Sequence, residues 1–554
     1  MIGSMSRNSQ HILVLAALTL ASLLPFVGKA VHIDDPLFLW TAKNIVQHPL
    51  DPYGFTANWY GVERPMSVIT KNPPGASYLL ALSGGLFGWD EVALHAVMML
   101  PAIGCIIGIY FLAKRYTLRP LEAALVSLFA PAFLVSATTL MCDVLMLCLW
   151  IWSLIVWMNG VERRSTVTLI CSALLIVACA LVKYFGIAVI GLIAVWTIAE
   201  KRRLDRSLVY LIIPIGLLVL YQWWTWVHYG RGLLLDAASY ASTTRNTGGI
   251  NVFSRFVVGL SFTGGCVAFP LFYSVRVWNA RSLKMGAIAL LCVAVIWTLG
   301  FLVSDKSLVL DPEFSWLYVV QFLLWTLVGL MLILLVIVDL RVRRDSGSLL
   351  LALWIVGTVT FAILLNWTVN GRTLLPVVPA AGILIFRRCE DCEREGTLRI
   401  GVRRYLPFGA LAVLALLVAY GDYSLANGIR QDVVTIWSHP RSERSAIWYE
   451  GHWGFQYYMD EAGGKPLDIE HSRMFPGDIV ITPLNNSSLY QLPAQSLPLR
   501  DSLIGAPAFP VSCMNRFAGA GFYSDFWGQM PFVFGEIPPE KYEVHIVVPG
   551  DSPK

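Results

Sequence analysis

The chain has 554 residues, 56% of them hydrophobic and 14% charged, against roughly 25% charged in average soluble usage. Together with a mean hydropathy of +0.63, this excludes an ordinary soluble enzyme, because such a balance cannot cover a water-facing surface and fits a chain whose main solvent is lipid. The net charge of +5 is too small for a nucleic-acid footprint, and we assign it to Lys and Arg of cytoplasmic loops.

The first apolar run, "HILVLAALTLASLLPFVG", follows a thin basic segment holding only Arg7. Small residues follow at Gly28 and Ala30, as after a signal peptide, but the weak basic flank favours an uncleaved helix leaving the cytoplasm. Residues 30–90 then form a long extracytoplasmic loop. Its segments "DPLFLWTAKNIV" and "PPGASYLLALSGGLF" are amphipathic or apolar yet too short to span, as expected of interfacial helices. Spans follow near 91–112, 120–137 and 143–158, with the basic inner flanks "KRYTLR" and "VERR". The run 167–199 is too long for one span of about 20 residues. Splitting it at Lys183 gives a helical hairpin with that lysine at an outer turn.

After the basic "EKRRLDR" come a span near 207–228 and a polar outer loop, "YGRGLLLDAASYASTTRNTGGIN". Further spans are expected near 253–274, 285–303, 316–338, 348–366, 373–386 and 405–421. The loops "RVWNARSLK", "RVRRD" and "RRCEDCEREGTLRIGVRR" lie inside, whereas "SDKSLVLDPEFS" and "NWTVNGR" lie outside. The alternation gives about 13 spans and an outward C-terminus. Most of the 10 cysteines sit in apolar runs, where a thiol behaves as a small hydrophobe. Cys389 and Cys392 form a lone CxxC with no second pair, and we read them as thiols in a charged loop. Beyond Gly421, short runs such as "DIVITP" and "EVHIVVP" predict strands bounded by Pro and Gly. The expected architecture is an all-α polytopic bundle over 1–421 with a soluble extracytoplasmic α/β domain over 422–554. No internal repeat is visible, which weighs against transporters built from inverted repeats.

Ionisable groups at membrane depth are expensive and mark function. Asp34 and Asp35 follow the first span and precede an apolar-aromatic segment; a partly dry site would raise one carboxyl, leaving one as general base while the other orients a partner or a metal. Asp143 opens a span, where the helix dipole alone would favour it. Lys183 lies between two apolar runs, as a snorkelling lysine would, or as a phosphate contact. Arg372 opens a span interrupted by Pro376 and Pro379, and its guanidinium suits bidentate phosphate binding. The predicted topology puts all of them on one side.

Five stretches in order, "HIDDPLFLWTAKNI", "KNPPGASYLL", "TTLMCDVLMLCLW", "ALVKYFGIAVI" and "NGRTLLPVVPA", resemble the GT-C glycosyltransferases that use polyprenyl-phosphate sugars. The resemblance is to the protein-mannosyltransferase-like, aminoarabinose-transferase-like and Rgt-type branch. Asn72 stands where that family often has a basic residue, and Thr373 where it has tyrosine. The resemblance implies transfer of a sugar from a polyprenyl-phosphate donor, with inversion, to a glycan, lipid or protein acceptor outside the membrane. Asp34 would be the general base. Asp35, its catalytic neighbour, and Asp143 would position the acceptor or the first loop. Lys183 with Tyr184, and Arg372, would hold the departing phosphate, and Lys71 and Asn72 would contact substrate. A divalent metal at the acidic pair stays open, although no compact His/carboxylate cluster accompanies it and His32 stands alone. Expected partners are the lipid-linked donor, the acceptor and membrane lipid, with no nucleic acid, in a bacterial inner membrane with the C-terminal domain in the periplasm. The rival readings are a transporter or flippase of a lipid-linked or anionic substrate, a non-catalytic membrane subunit, and a diphosphate-donor ligase.

Overall fold

The computed structural model describes residues 6–247, 252–278, 284, 286, 288, 292, 316–395, 405–438 and 445–549. Among these, eight helices are long and apolar enough to cross a membrane, or up to ten if two bent pairs each count as one span. The eight are Arg7–Phe26, Glu91–Ala113, Asp143–Arg163, Tyr184–Lys201, Arg206–Tyr229, Trp316–Val342, Ser346–Leu365 and Leu406–Trp437. The described residues therefore show fewer than the expected 13 or so, and most of the span near 285–303 and all of the loop "SDKSLVLDPEFS" lie outside them. Ile212, Val219, Trp223 and Trp226 are all exposed, which suits a helix facing lipid.

Proline accounts for most of the departures from straight spans. The 120–137 segment is two helices, Pro120–Leu128 and Pro131–Ala137, bent by 61°, because Pro131 pushes the residue before it out of helical geometry. The 253–274 segment breaks by 86° between Val252–Val267 and Phe269–Val277, where Ala268 takes a left-handed φ of 54° just ahead of Pro270. The expected span at 373–386 is a short Gly371–Leu374 turn and a helix Val377–Arg394. That second helix carries on through the CxxC, so Cys389 and Cys392 are buried on a helix and not in a loop. What permits this is pairing: Arg387 bonds Asp339, Asp345 and Ser348, and Arg343 bonds Asp391. The polar loop expected after residue 228 contains a helix, Leu233–Thr247.

Glycines let the bundle close. A Cβ at Gly264 would sit 1.9 Å from Trp325 O, and one at Gly329 would sit 2.1 Å from Leu260 O. Only the smallest side chain lets Val252–Val267 and Trp316–Val342 approach backbone to backbone. The Lys/Arg-rich turns gather at one end of the bundle, where Arg115 pairs with Glu162, Arg119 with Glu393, and Ser346 with Glu200.

In the first loop, Asp35–Gln47 and Gly75–Phe87 are helices packed on each other, with a small antiparallel pair, Thr56–Asn58 and Glu63–Pro65, between them in sequence. The last long helix runs to Trp437, well past the boundary expected at Gly421. It contributes Val433 and Ile436 to the core of a five-stranded sheet. Its strand order is Lys465–Pro466, Ile447–Tyr449, Ile479–Pro483, Lys541–Ile546, Leu499–Ile504. The first three are parallel and Lys541–Ile546 is antiparallel to both neighbours. The two predicted strands are adjacent, with Val544 opposite Ile481. The helix Trp453–Glu461 connects the first parallel pair, as a parallel connection requires. A further stretch returns to the membrane helices: Gly371 N–H donates to Phe522 O at 2.7 Å, and Asp525 N–H to Val369 O at 2.9 Å.

Candidate active site

The two adjacent aspartates part company because a helix starts between them. Asp34 precedes the Asp35–Gln47 helix and Asp35 is its first residue, with Pro36 fixing the entry. Asp35 is fully buried and accepts from His32 N–H at 3.0 Å and Leu140 N–H at 2.9 Å. Burial pushes its carboxyl up to about 7, against the pull of Lys29 and those two amides. It ties the first loop to the turn ahead of Asp143 and does not line the cavity described below. Of the two aspartates expected to face one site, only Asp34 lines that cavity. The pair offers a metal no shared face either, since Asp34 is held by an arginine and both Asp35 oxygens by amides. Among the described residues no three His, Cys, Asp or Glu side chains converge as a metal cage.

Arg372 sits on the Gly371–Leu374 turn, which Asn370 caps by accepting from Thr373 N–H at 2.8 Å. Its Nη2 donates to Asp34 at 2.8 Å, its Nη1 lies 2.6 Å from Met141 Sδ, and its guanidinium carbon is 5.6 Å from the Tyr523 ring centre. Its Nε is buried and has no partner among the described residues. Lys183 is where the Thr166–Val182 helix stops; it takes extended backbone angles, and the chain turns into Tyr184–Ile187. That turn folds back tightly, since a Cβ at Gly186 would lie 2.6 Å from the Cys179 backbone. Lys183 Nζ donates to Asp143 at 2.5 Å, and the other Asp143 oxygen is buried without a partner. Lys71 pairs with Asp236 at 2.7 Å and lies 5.2 Å from the Tyr240 ring centre. Tyr184 and Tyr221 share a hydroxyl bond of 3.0 Å.

Asp34, Lys71, Asn72, Lys183, Tyr184 and Arg372 line one cavity of about 740 Å³, a size that suits a small-molecule site. Asp143 reaches it only through Lys183. Three groups of lining or supporting residues escaped the sequence reading. The Leu233–Thr247 helix supplies Tyr240, and the C-terminal region supplies His452, Trp453, Tyr523 and Trp527. Behind the cavity, Asp422 accepts from Lys29 at 2.5 Å and from Tyr523 Oη at 2.7 Å, with His32 Nε2 3.5 Å away. Lys29 and Asp422 are both fully buried. A signal did exist: Asp422 stands alone in the apolar run "LVAYGDYSL", the pattern of an intramembrane charge with a partner.

Residues 71–226 match the family described as dolichyl-phosphate-mannose-protein mannosyltransferase. Over those residues the chain is similar to that family. The matched stretch contains Lys71, Asn72, Asp143, Lys183 and Tyr184, and Asp34 and Arg372 lie beyond its ends. With eight described helices long and apolar enough to cross a membrane, the chain is an integral multi-pass membrane protein. A search of curated protein sequences finds no match. Among solved structures, the chain is similar to the oligosaccharyltransferase of Archaeoglobus fulgidus in the apo form, at 12% identity and a TM-score of 0.47. That alignment covers 84% of this chain and 65% of the other, so this chain spans just under two thirds of that protein's length. It is also similar to ArnT from Cupriavidus metallidurans in the apo state, at 14% identity and a TM-score of 0.41, covering 86% of this chain and 94% of that one. The same protein bound to undecaprenyl phosphate aligns at 15% identity and a TM-score of 0.41, covering 86% and 93%.

Proposed function

We propose that this protein transfers a sugar from a polyprenyl-phosphate donor to an acceptor at the extracytoplasmic face of a bacterial inner membrane, with inversion. The observation that carries the proposal is the convergence of Asp34, Lys183 and Arg372 on one cavity, with a buried guanidinium N–H left without a partner. A buried donor in that state costs free energy until a ligand accepts from it. A phosphate is the ligand whose geometry matches a guanidinium fork.

In the proposed reaction the donor phosphate takes the free Arg372 N–H and draws Nη2 away from Asp34. Lys183 adds a second cation beside the same oxygens. Asp34, released, takes the proton from the acceptor hydroxyl as its oxygen attacks the anomeric carbon. The bond between that carbon and the phosphate oxygen breaks on the opposite face. Its electron pair leaves with the phosphate, whose growing charge the two cations stabilise in a water-poor site. Asp35 and Asp143 act as positioning residues, the first by holding the loop and the second by holding Lys183. Grouping of the Lys/Arg-rich turns at the far end of the bundle supports an extracytoplasmic cavity.

The test is a transfer assay with synthetic polyprenyl-phosphate sugars, comparing wild type with Asp34→Asn. Polyprenyl phosphate released by wild type alone is the expected result. Release by neither protein, with both folded, would return the transporter reading.

A further inference from the structure

The cavity has two walls of different chemistry. The spanning helices contribute Phe185, Ile187, Phe361 and Leu365, an apolar face suited to a lipid chain. The chain beyond residue 445 contributes His452, Trp453, Ser487, Ser488, Phe526 and Trp527, and none of its lining residues is Asp, Glu, Lys or Arg.

That second wall is a continuous aromatic surface. His452 lies on Trp59 with ring centres 4.4 Å apart and meets Trp453 edge-on at 5.3 Å. Trp453 in turn contacts Trp527 at 5.0 Å. The loop is clamped: His452 N–H donates to Asn486 Oδ1 at 2.9 Å, and Asn486 Nδ2 returns a bond to His452 O at 3.0 Å. Trp453 and Ser488 hold left-handed φ angles of 68° and 56°, a cost that only surrounding structure sustains. His452 Nε2 and Ser487 Oγ are 2.8 Å apart, yet His452 Nδ1 and Trp527 Nε1 are buried with no partner. With no acid beside it, burial pushes the His452 imidazole down to about 3, so the wall is uncharged at neutral pH.

Flat rings, hydroxyls and two unused ring nitrogens, without charge, match a pyranose: its C–H face covers an aromatic plane while its hydroxyls fill the open donors and acceptors. An ionic acceptor would find no counter-charge on these side chains, and the cation over the neighbouring Tyr523 ring, Arg372, already pairs with Asp34. We infer that this wall is a saccharide subsite and that the acceptor is a neutral carbohydrate. The word acceptor rests on the glycosyltransferase reading; the subsite itself does not.

The experiment is equilibrium dialysis of the full-length protein in detergent, without donor. The probes are end-labelled neutral gluco-, manno- and galacto-trisaccharides, a tri-hexuronate, and a Ser/Thr-rich peptide. At least one neutral probe is expected to saturate, and the uronate and peptide are not. Trp527→Ala is expected to weaken that binding about tenfold, and Trp527→Phe by no more than about threefold, because phenyl keeps a stacking face. Phe526 is 47% exposed, so Phe526→Ala tests the wall without opening a core; a severalfold loss is expected. No saturation by any neutral probe, equal binding by uronate or peptide, or wild-type binding in both alanine variants would overturn the inference. Donor cleavage is measured on the same preparations. Saccharide binding without cleavage supports the subsite and removes the reaction, whereas cleavage without saccharide binding removes the subsite alone.

Discussion

Two buried arginines, at opposite ends of the bundle, use their donors differently. Arg387, at the Lys/Arg-rich end, bonds Asp339 through Nε at 3.0 Å, and Asp345 and Ser348 through Nη2 at 3.0 and 2.9 Å. Arg372, at the cavity end, has one carboxylate, a thioether and an unused Nε. The first is satisfied by the fold and holds helices together. The second is left short by the fold, and a ligand completes it. Satisfaction of donors, more than burial or charge, separates a structural arginine from a binding one.

The strongest way to break this comparison is at the cavity end. Asp34→Asn is expected to lower kcat about 10²–10⁴-fold, the range for loss of a general base, with donor KM little changed; an equal rise in KM would make Asp34 a binding group. Next is Arg387→Ala, which takes from Asp339 its hydrogen-bonded cation and leaves only Arg343 at 3.9 Å; it is expected to destabilise the protein by about 3–5 kcal/mol, seen as a lower Tm in detergent. Its kcat per folded molecule should stay at the wild-type level, and a selective loss of kcat would erase the distinction. Arg372→Lys keeps the charge but loses the fork, and is expected to cost about 10²-fold in kcat/KM; full activity would mean that charge alone suffices.

The smallest effect concerns pH. Burial raises Glu540 from its ordinary 4.5 to about 8, although Asn485 donates to it. Because the folded protein holds this proton more tightly, the associated stability is present below about 4.5 and is lost as pH climbs through about 8. Tm should therefore fall between about pH 4.5 and about pH 8 and level off above that, and Glu540→Gln should flatten that slope.

Much of this site was legible in the sequence because membrane placement makes charge conspicuous. Asp34, Lys183 and Arg372 each interrupt or flank an apolar run, and the Lys/Arg bias put them on one side. The strands at Ile479–Pro483 and Lys541–Ile546 were legible from composition. What was hidden depended on geometry without a local signature. No pattern says that a helix begins between Asp34 and Asp35 and sends them to different partners. The aromatic wall comes from a turn, a helix start and a late loop, and no periodicity links His452 to Trp527. The CxxC was misread because charged residues suggested a loop, whereas Asp339, Asp345 and Arg343, distant in sequence, neutralise them on a buried helix.

The Lys29–Asp422 pair also sets an order of assembly. Its partners are 393 residues apart, so at about 5–20 residues per second a ribosome needs roughly 20–80 s between them. Through that interval Lys29 lacks the Asp422 carboxylate that it pairs with, and seating it in an apolar interior without that partner would be costly. The first loop, and Asp34 with it, is expected to dock only after the last helix arrives. A chain ending before Asp422 should leave Lys29 open to amine-reactive labelling, and protection of Lys29 in that chain would show that it docks early.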